Sequence, residues 1–205
     1  MAATYTISAI GITMPTAAST RVLNIHNSSV GNANVIRIYR IIILNNFFAA
    51  AAPATTQNTT ITTSTGTTLQ SLIGCYRSTG APTGGTAITT TFTTGRGITL
   101  HDTTSAAPTN LTVMSLATGG STFDSAAPFF VTCRANDEPA AGALTLDELN
   151  TVPVLNTIEF GYGDSNVEPI VLLSGEGIEL RTEAVGVWPA SCNLDFFVEC
   201  TYGVS

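Results

Sequence analysis

Lysine is absent. All seven basic residues are arginine, they face fourteen acidic ones, and charged residues make up only 10% of the 205, where an ordinary soluble domain carries about 25%. A net charge of -7 without a basic cluster argues against a nucleic-acid partner, because phosphate backbones are held by grouped Lys and Arg. The same deficit argues against docking on an anionic membrane surface. Long apolar runs are missing too. Ile41–Leu44 and Phe47–Ala52 are separated by Asn45 and Asn46, and neither is long enough to span a bilayer. The first nineteen residues lack a basic start and a continuous apolar stretch, so they do not read as a signal peptide. Synthesis in a cytoplasm is the expectation.

Groups that do chemistry are also scarce. The four cysteines, Cys75, Cys133, Cys192 and Cys200, are scattered and form no CxxC pair, so neither a disulfide framework nor a zinc site is expected. Free, buried thiols are the default reading. Only two histidines occur. His101 precedes Asp102, a pairing that could orient an imidazole as a base, but adjacent loop residues seldom face the same way. Glu176 and Glu179 flank Gly177 and could suggest a glycosidase pair; the Gly-rich context reads better as a tight reversal between strands. Asp137–Glu138 and Asp147–Glu148 lack the regular ligand spacing of a calcium loop. No enzymatic activity, no metal and no organic cofactor are expected. The single Trp188 is assigned to packing at an end of the fold rather than to sugar stacking.

Threonine, by contrast, fills about one position in six. Thr, Val and Ile branch at Cβ and fit a pleated sheet better than a helix. Apolar-polar alternation with the period of a half-buried strand recurs along the chain. Strands are predicted at 4–10, 21–27, 34–44, 67–77, 86–94, 111–116, 128–133, 154–160, 169–173, 178–181 and 194–202. Predicted core residues include Leu23, Ile25, Ile38, Ile73, Val131, Ile158, Val171, Ile178, Phe196 and Val198. Strict alternation over 34–44 puts Arg37 and Arg40 on opposite faces, so one of them points inward and needs polar partners or an escape at a strand end. The one helical signal is the capping-box spacing at Thr145–Glu148. No repeat or linker is visible. The expectation is a single all-β domain at 20–205, a two-sheet jelly-roll or Greek-key sandwich with long loops, preceded by an N-terminal arm at 1–19 that alternatively pairs as an edge strand. An immunoglobulin-like sandwich is the alternative.

Four stretches carry a resemblance. Val35–Ile41 leads into Leu44-Asn45-Asn46; Glu168–Arg181 reads Pro-Ile-Val-Leu, then Gly-Glu-Gly-Ile; Leu194–Glu199 alternates; and His101–Pro108 forms a distinctive loop. Together they resemble the small jelly-roll virion proteins of tailed bacteriophages, which include capsid decoration (cement) and head-fibre proteins. The resemblance implies a structural virion protein on the capsid surface, made in the host cytoplasm. It implies the major capsid protein as partner and self-assembly, most simply as a homotrimer. A head-fibre or carbohydrate-binding receptor module, and a secreted adhesin-like sandwich, are the alternatives. For such attachment the arm and the uncharged stretch after Asn46 are the candidate contacts, with Ala2, Tyr5, Ile7, Phe47, Phe48 and Pro53 as interface residues, since exposed apolar patches mark contacts.

Overall fold

The computed structural model describes residues 3–31, 34–46, 70–102, 107–135, 154–161, 168–183 and 193–203. Within them run twelve strands: β1 (Ala3–Thr13), β2 (Arg21–Asn27), β3 (Val35–Asn46), β4 (Gln70–Thr79), β5 (Thr86–Ile88), β6 (Arg96–Leu100), β7 (Leu111–Ser115), β8 (Thr122–Ala135), β9 (Val154–Glu159), β10 (Ile170–Leu172), β11 (Glu176–Thr182) and β12 (Asn193–Gly203). No helix occurs among the described residues. The capping-box signal at Thr145–Glu148 lies outside them.

Every pairing is antiparallel. One sheet, sheet A, has the order β10-β3-β12-β1-β6, with β9 also on β3; the other, sheet B, has the order β5-β7-β2-β11-β4-β8. Setting β5–β7 aside, the remaining strands pair first with last (β1–β12), second with second-last (β2–β11), third with β9 and β10, and β4 with β8. That is a long antiparallel ribbon rolled up on itself, with β12 also beside β3 and β11 beside β4. The fold is a jelly roll. The excursion β5–β7 lays β6 on β1 and β7 on β2, extending both sheets on the same side.

Alternation explains the core. In β12, Leu194, Phe196, Val198 and Cys200 are buried, and Ile36, Ile38, Ile41 and Ile43 of β3 join them from the next strand. Leu23 and Ile25 of β2, Ile73 and Cys75 of β4, and Ile178 and Leu180 of β11 face them from sheet B. Seven of the ten predicted core residues are therefore placed as expected. Val171 is not: Ile170 and Leu172 are buried and Val171 lies between them, half-exposed, so the phase of that strand is shifted by one. Ile158 is half-buried, and the side chain of Val131 lies outside the described residues.

The segment assigned to an arm is corrected by the structure. β1 lies inside sheet A, paired to β12 on one side and β6 on the other. Hydrogen bonding on both edges is what a strand needs to be neither an arm nor an edge. Gly11 at φ +67° forms a bulge there, its amide donating to Asp195 Oδ1 at 2.7 Å. The bulge shifts the inward phase from Ala9 to Ile12.

Two further bulges decide where arginines point. Between Glu199 and Cys200 of β12, β3 carries one extra residue, Tyr39, so that Ile38 and Ile41 both face inward. Arg37 and Arg40 consequently share the outer face, against the expectation from strict alternation. Between Leu180 and Arg181 of β11, β2 carries the extra residue Val22, which turns Arg21 outward as well. A bulge re-aims a side chain in this way, and burying an unpaired guanidinium in the core is the costly alternative.

Candidate functional site

Among the described residues, the outer face of sheet B holds a dense set of polar side chains. β11 lies between β2 and β4, so Glu179 and Arg181 stand mid-sheet, alternating with the core residues Ile178 and Leu180. Glu179 is fully buried and receives both arginines: Arg181 Nη1 at 2.6 Å and Arg21 Nε at 3.4 Å. Arg21 Nη2 also donates to the Ser121 carbonyl at 2.6 Å, and Arg181 Nη2 to the Ser19 carbonyl. The Arg181 guanidinium lies 3.8 Å from the centre of the Phe123 ring, a cation–π contact that suits arginine's flat, weakly hydrated head. Tyr76 meets the same ring edge-on at 5.2 Å and donates to Glu183 Oε1. Burial, reinforced by the adjacent Glu183 carboxylate, pushes the Tyr76 hydroxyl up to about 12, so it remains a donor. Two arginines balance two carboxylates. The cluster has no surplus charge to bind an ion, and its chemistry is that of a brace.

One row away on the same face, His26 is buried beside Gly177. A Cβ on Gly177 would meet the Ile25 carbonyl at 2.7 Å, Ser78 Oγ at 2.8 Å and His26 Nδ1 at 3.3 Å. Glycine at that position is what lets the three strands approach. Burial lowers the His26 pKa and holds the ring neutral.

The residues whose chemical types were weighed in the sequence, and set aside, are scattered. His101 sits where β6 ends; its Nε2 is 2.6 Å from Thr6 Oγ1, and its amide donates to the Thr4 carbonyl at 3.0 Å. Both side chains lie on the open side of sheet A, where water competes for each group, and the contact ties β6 to β1. Glu176 and Glu179 do not form a pair: Glu176 accepts from Arg77 at 3.1 Å at the turn, while Glu179 lies in the sheet B cluster. Cys75 and Cys200 are free and buried, and burial raises both thiols, Cys200 to about 12. Among the described residues no group of three or more His, Cys, Asp or Glu could hold a metal. Of the expected interface residues, Tyr5 and Ile7 are buried in the chain's own core, because β1 is a paired strand, so neither side chain is free to meet a neighbour. Ala2, Phe47, Phe48 and Pro53 lie outside the described residues, as does Trp188.

No protein-family model matches the chain, and no curated protein matches it. Among solved structures it is similar to the VP1 pentamer of Human Polyomavirus 6, with 12% identity and a TM-score of 0.33 over 98% of this chain and 94% of that one. It is similar to the unassembled VP1 pentamer of Washington University Polyomavirus at 11% and 0.36 (99% and 94% covered), and to that of KI Polyomavirus at 12% and 0.34 (100% and 95% covered). At such TM-scores the fold assignment rests on the strand order itself.

The outer face of sheet A is different in kind. Register places Thr99, Thr6, Glu199, Arg40 and Glu159 in one row across five strands. Arg40 binds Glu199 at 2.5 Å and approaches Glu159 at 3.9 Å. The neighbouring row sets Ser8 beside Phe197 and Phe197 beside Ile42, both apolar side chains half-buried. Alternation within β12 predicts that Phe197 and Glu199 lie on this face. The bulge that brings Arg40 to it has no local sequence mark.

Proposed function

We propose that this chain is a structural virion protein that decorates and stabilises a bacteriophage head shell. The observation that carries the reading is the rolled strand order, in which the residues quoted for the phage resemblance take structural positions. Val35–Ile41 lies in β3, Ile170–Leu172 is β10, Glu176–Arg181 lies in β11, and Leu194–Glu199 lies in β12. These strands are neighbours within their sheets: β10, β3 and β12 in sheet A, and β11 at the centre of sheet B. The buried contacts of Glu179 with Arg21 and Arg181 brace the fold itself, in keeping with a protein that holds shape. The partner in this reading is the major capsid protein. The assembly is a homotrimer at local threefold positions, a choice that follows from capsid symmetry.

The test is quantitative mass spectrometry of purified particles. A decoration protein is present in a number comparable with the shell subunit. A number comparable with a fibre or tail component moves the chain to the receptor-binding alternative, and absence from particles overturns the virion reading.

A further inference from the structure

His26, Gly177 and Ser78 form one row across β2, β11 and β4 on the outer face of sheet B. The middle residue of that row has no side chain, and its two neighbours lean over it. The three atoms nearest to where its Cβ would stand are all polar: the Ile25 carbonyl oxygen, Ser78 Oγ and His26 Nδ1. Asn24 follows on the same face of β2, in the adjacent row, opposite Glu179.

The same sheet offers a second glycine for comparison. Gly74 of β4 lies opposite Arg181. The Tyr76 ring and the Glu183 carboxylate close over it and are bonded to each other. The atoms around Gly177 do not satisfy one another in that way. His26 Nδ1 and Asn24 Oδ1 are buried and have no hydrogen-bond partner in the chain. They belong to residues only 4% and 1% exposed, and Ser78 is 6% exposed. Buried polar atoms in folded proteins are nearly always paired, with protein groups or with ordered water.

We propose that the position above Gly177 is a binding site for one ordered water, which donates to His26 Nδ1 and Asn24 Oδ1 and accepts from Ser78 Oγ. The chemistry of the lining selects the ligand. Two acceptors and one hydroxyl call for a small molecule with two donors and a lone pair, which is what water supplies. An anion has no hydrogen to give the acceptors. A hard cation gathers six or more oxygens, whereas this lining includes an imidazole nitrogen, and the guanidiniums of Arg21 and Arg181 stand on the same face around Glu179. The burial of the row excludes anything larger. Burial also lowers the His26 pKa, so the ring is neutral and one of its nitrogens is available to accept. The water then does at Gly177 what Tyr76 and Glu183 do at Gly74: it covers a glycine and ties the side chains on either side of it. It also sets the imidazole tautomer, with Nδ1 bare and the proton on Nε2, because the hydrogen bond made at one ring nitrogen decides where the proton sits. The inference stands independently of the virion reading.

The experiment is a crystal structure of the full chain at a resolution that shows ordered water, together with nitrogen NMR of the His26 ring at neutral pH. The expected result is one water over Gly177, about 2.7–3.2 Å from both His26 Nδ1 and Ser78 Oγ, and a ring protonated at Nε2 alone. Ser78→Ala should lose that water and move the Nδ1 resonance. Ser78→Thr keeps the hydroxyl and should keep both. The parent chain decides the matter even where a variant fails to fold. A direct hydrogen bond from Ser78 Oγ to His26 Nδ1 with no water at the position would overturn the proposal. So would density surrounded by the oxygen shell of a cation, a proton on Nδ1, or a water that stays unchanged in folded Ser78→Ala.

Discussion

On the outer face of sheet B, Glu179 is fully buried between Arg21 and Arg181; on the outer face of sheet A, Glu199 holds Arg40 with both side chains in partial contact with solvent. The local device is the same in each case. A single extra residue, Val22 in β2 or Tyr39 in β3, turns an arginine out of the core and towards a carboxylate on the adjacent strand. The surroundings differ. Sheet B adds Phe123, Tyr76 and backbone carbonyls until the charges are enclosed, while sheet A leaves its pair beside half-buried Phe197 and Ile42. One bulge-and-pair motif thus yields a brace on one face and an ordinary surface ion pair on the other. Burial decides which, because removing one partner from a buried pair leaves an uncompensated charge, whereas water compensates at the surface.

The comparison predicts its own largest effect. Glu179→Ala strands two arginines and should cost about 3–5 kcal/mol in denaturant unfolding, while Glu199→Ala should cost about 1 kcal/mol or less. Equal losses would break the distinction between the faces. Next comes backbone packing. Gly177→Ala drives a methyl into the Ile25 carbonyl, Ser78 and His26 and should cost about 1–3 kcal/mol. Gly11→Ala in sheet A meets nothing within 4 Å; its cost is only that of holding an L-residue at φ +67°, about 1–2 kcal/mol. Unfolding midpoints of the two variants sharpen the contrast between a steric and a conformational glycine.

Smaller still is a pH effect confined to sheet B. Thr112, Gly177 and Ser78 flank His26 in register, and Glu179 follows one row along, already held by its arginines. Burial lowers the His26 pKa in the folded chain, so below the unfolded value of about 6.5 the unfolded chain binds the proton first. Stability should therefore fall as pH drops from about 6.5 towards the folded pKa, by up to about 1.4 kcal/mol per pH unit, and His26→Gln should flatten that stretch of the profile. An unchanged slope in the variant would mean that His26 is not the group responsible. At the bottom of the scale, Glu159→Ala removes a half-exposed carboxylate 3.9 Å from Arg40 and should change stability by about 0.5 kcal/mol or less.

Period-two alternation made much of the fold legible. β12 and β2 place their alternating apolar residues in the core as read, and the turn between β10 and β11 falls at its Gly-rich sequence. Other features were not legible, each for a physical reason. Bulges change phase without changing composition, so Arg37 and Arg40 read as opposite when they share a face. Pairing between distant strands leaves no local trace: Tyr5 and Ile7 alternate as any strand would, and nothing nearby announces that Cys200 and Val198 lie opposite them. β6 was missed because five residues beginning Arg-Gly carry too little pattern. The Glu179 cluster was hidden by its turn-like context.

The most direct test of the account is electron cryo-microscopy of head particles with and without this chain. The account predicts density for the jelly roll on the shell surface in a regular lattice of copies. Particles whose shells are identical in the two preparations would contradict it.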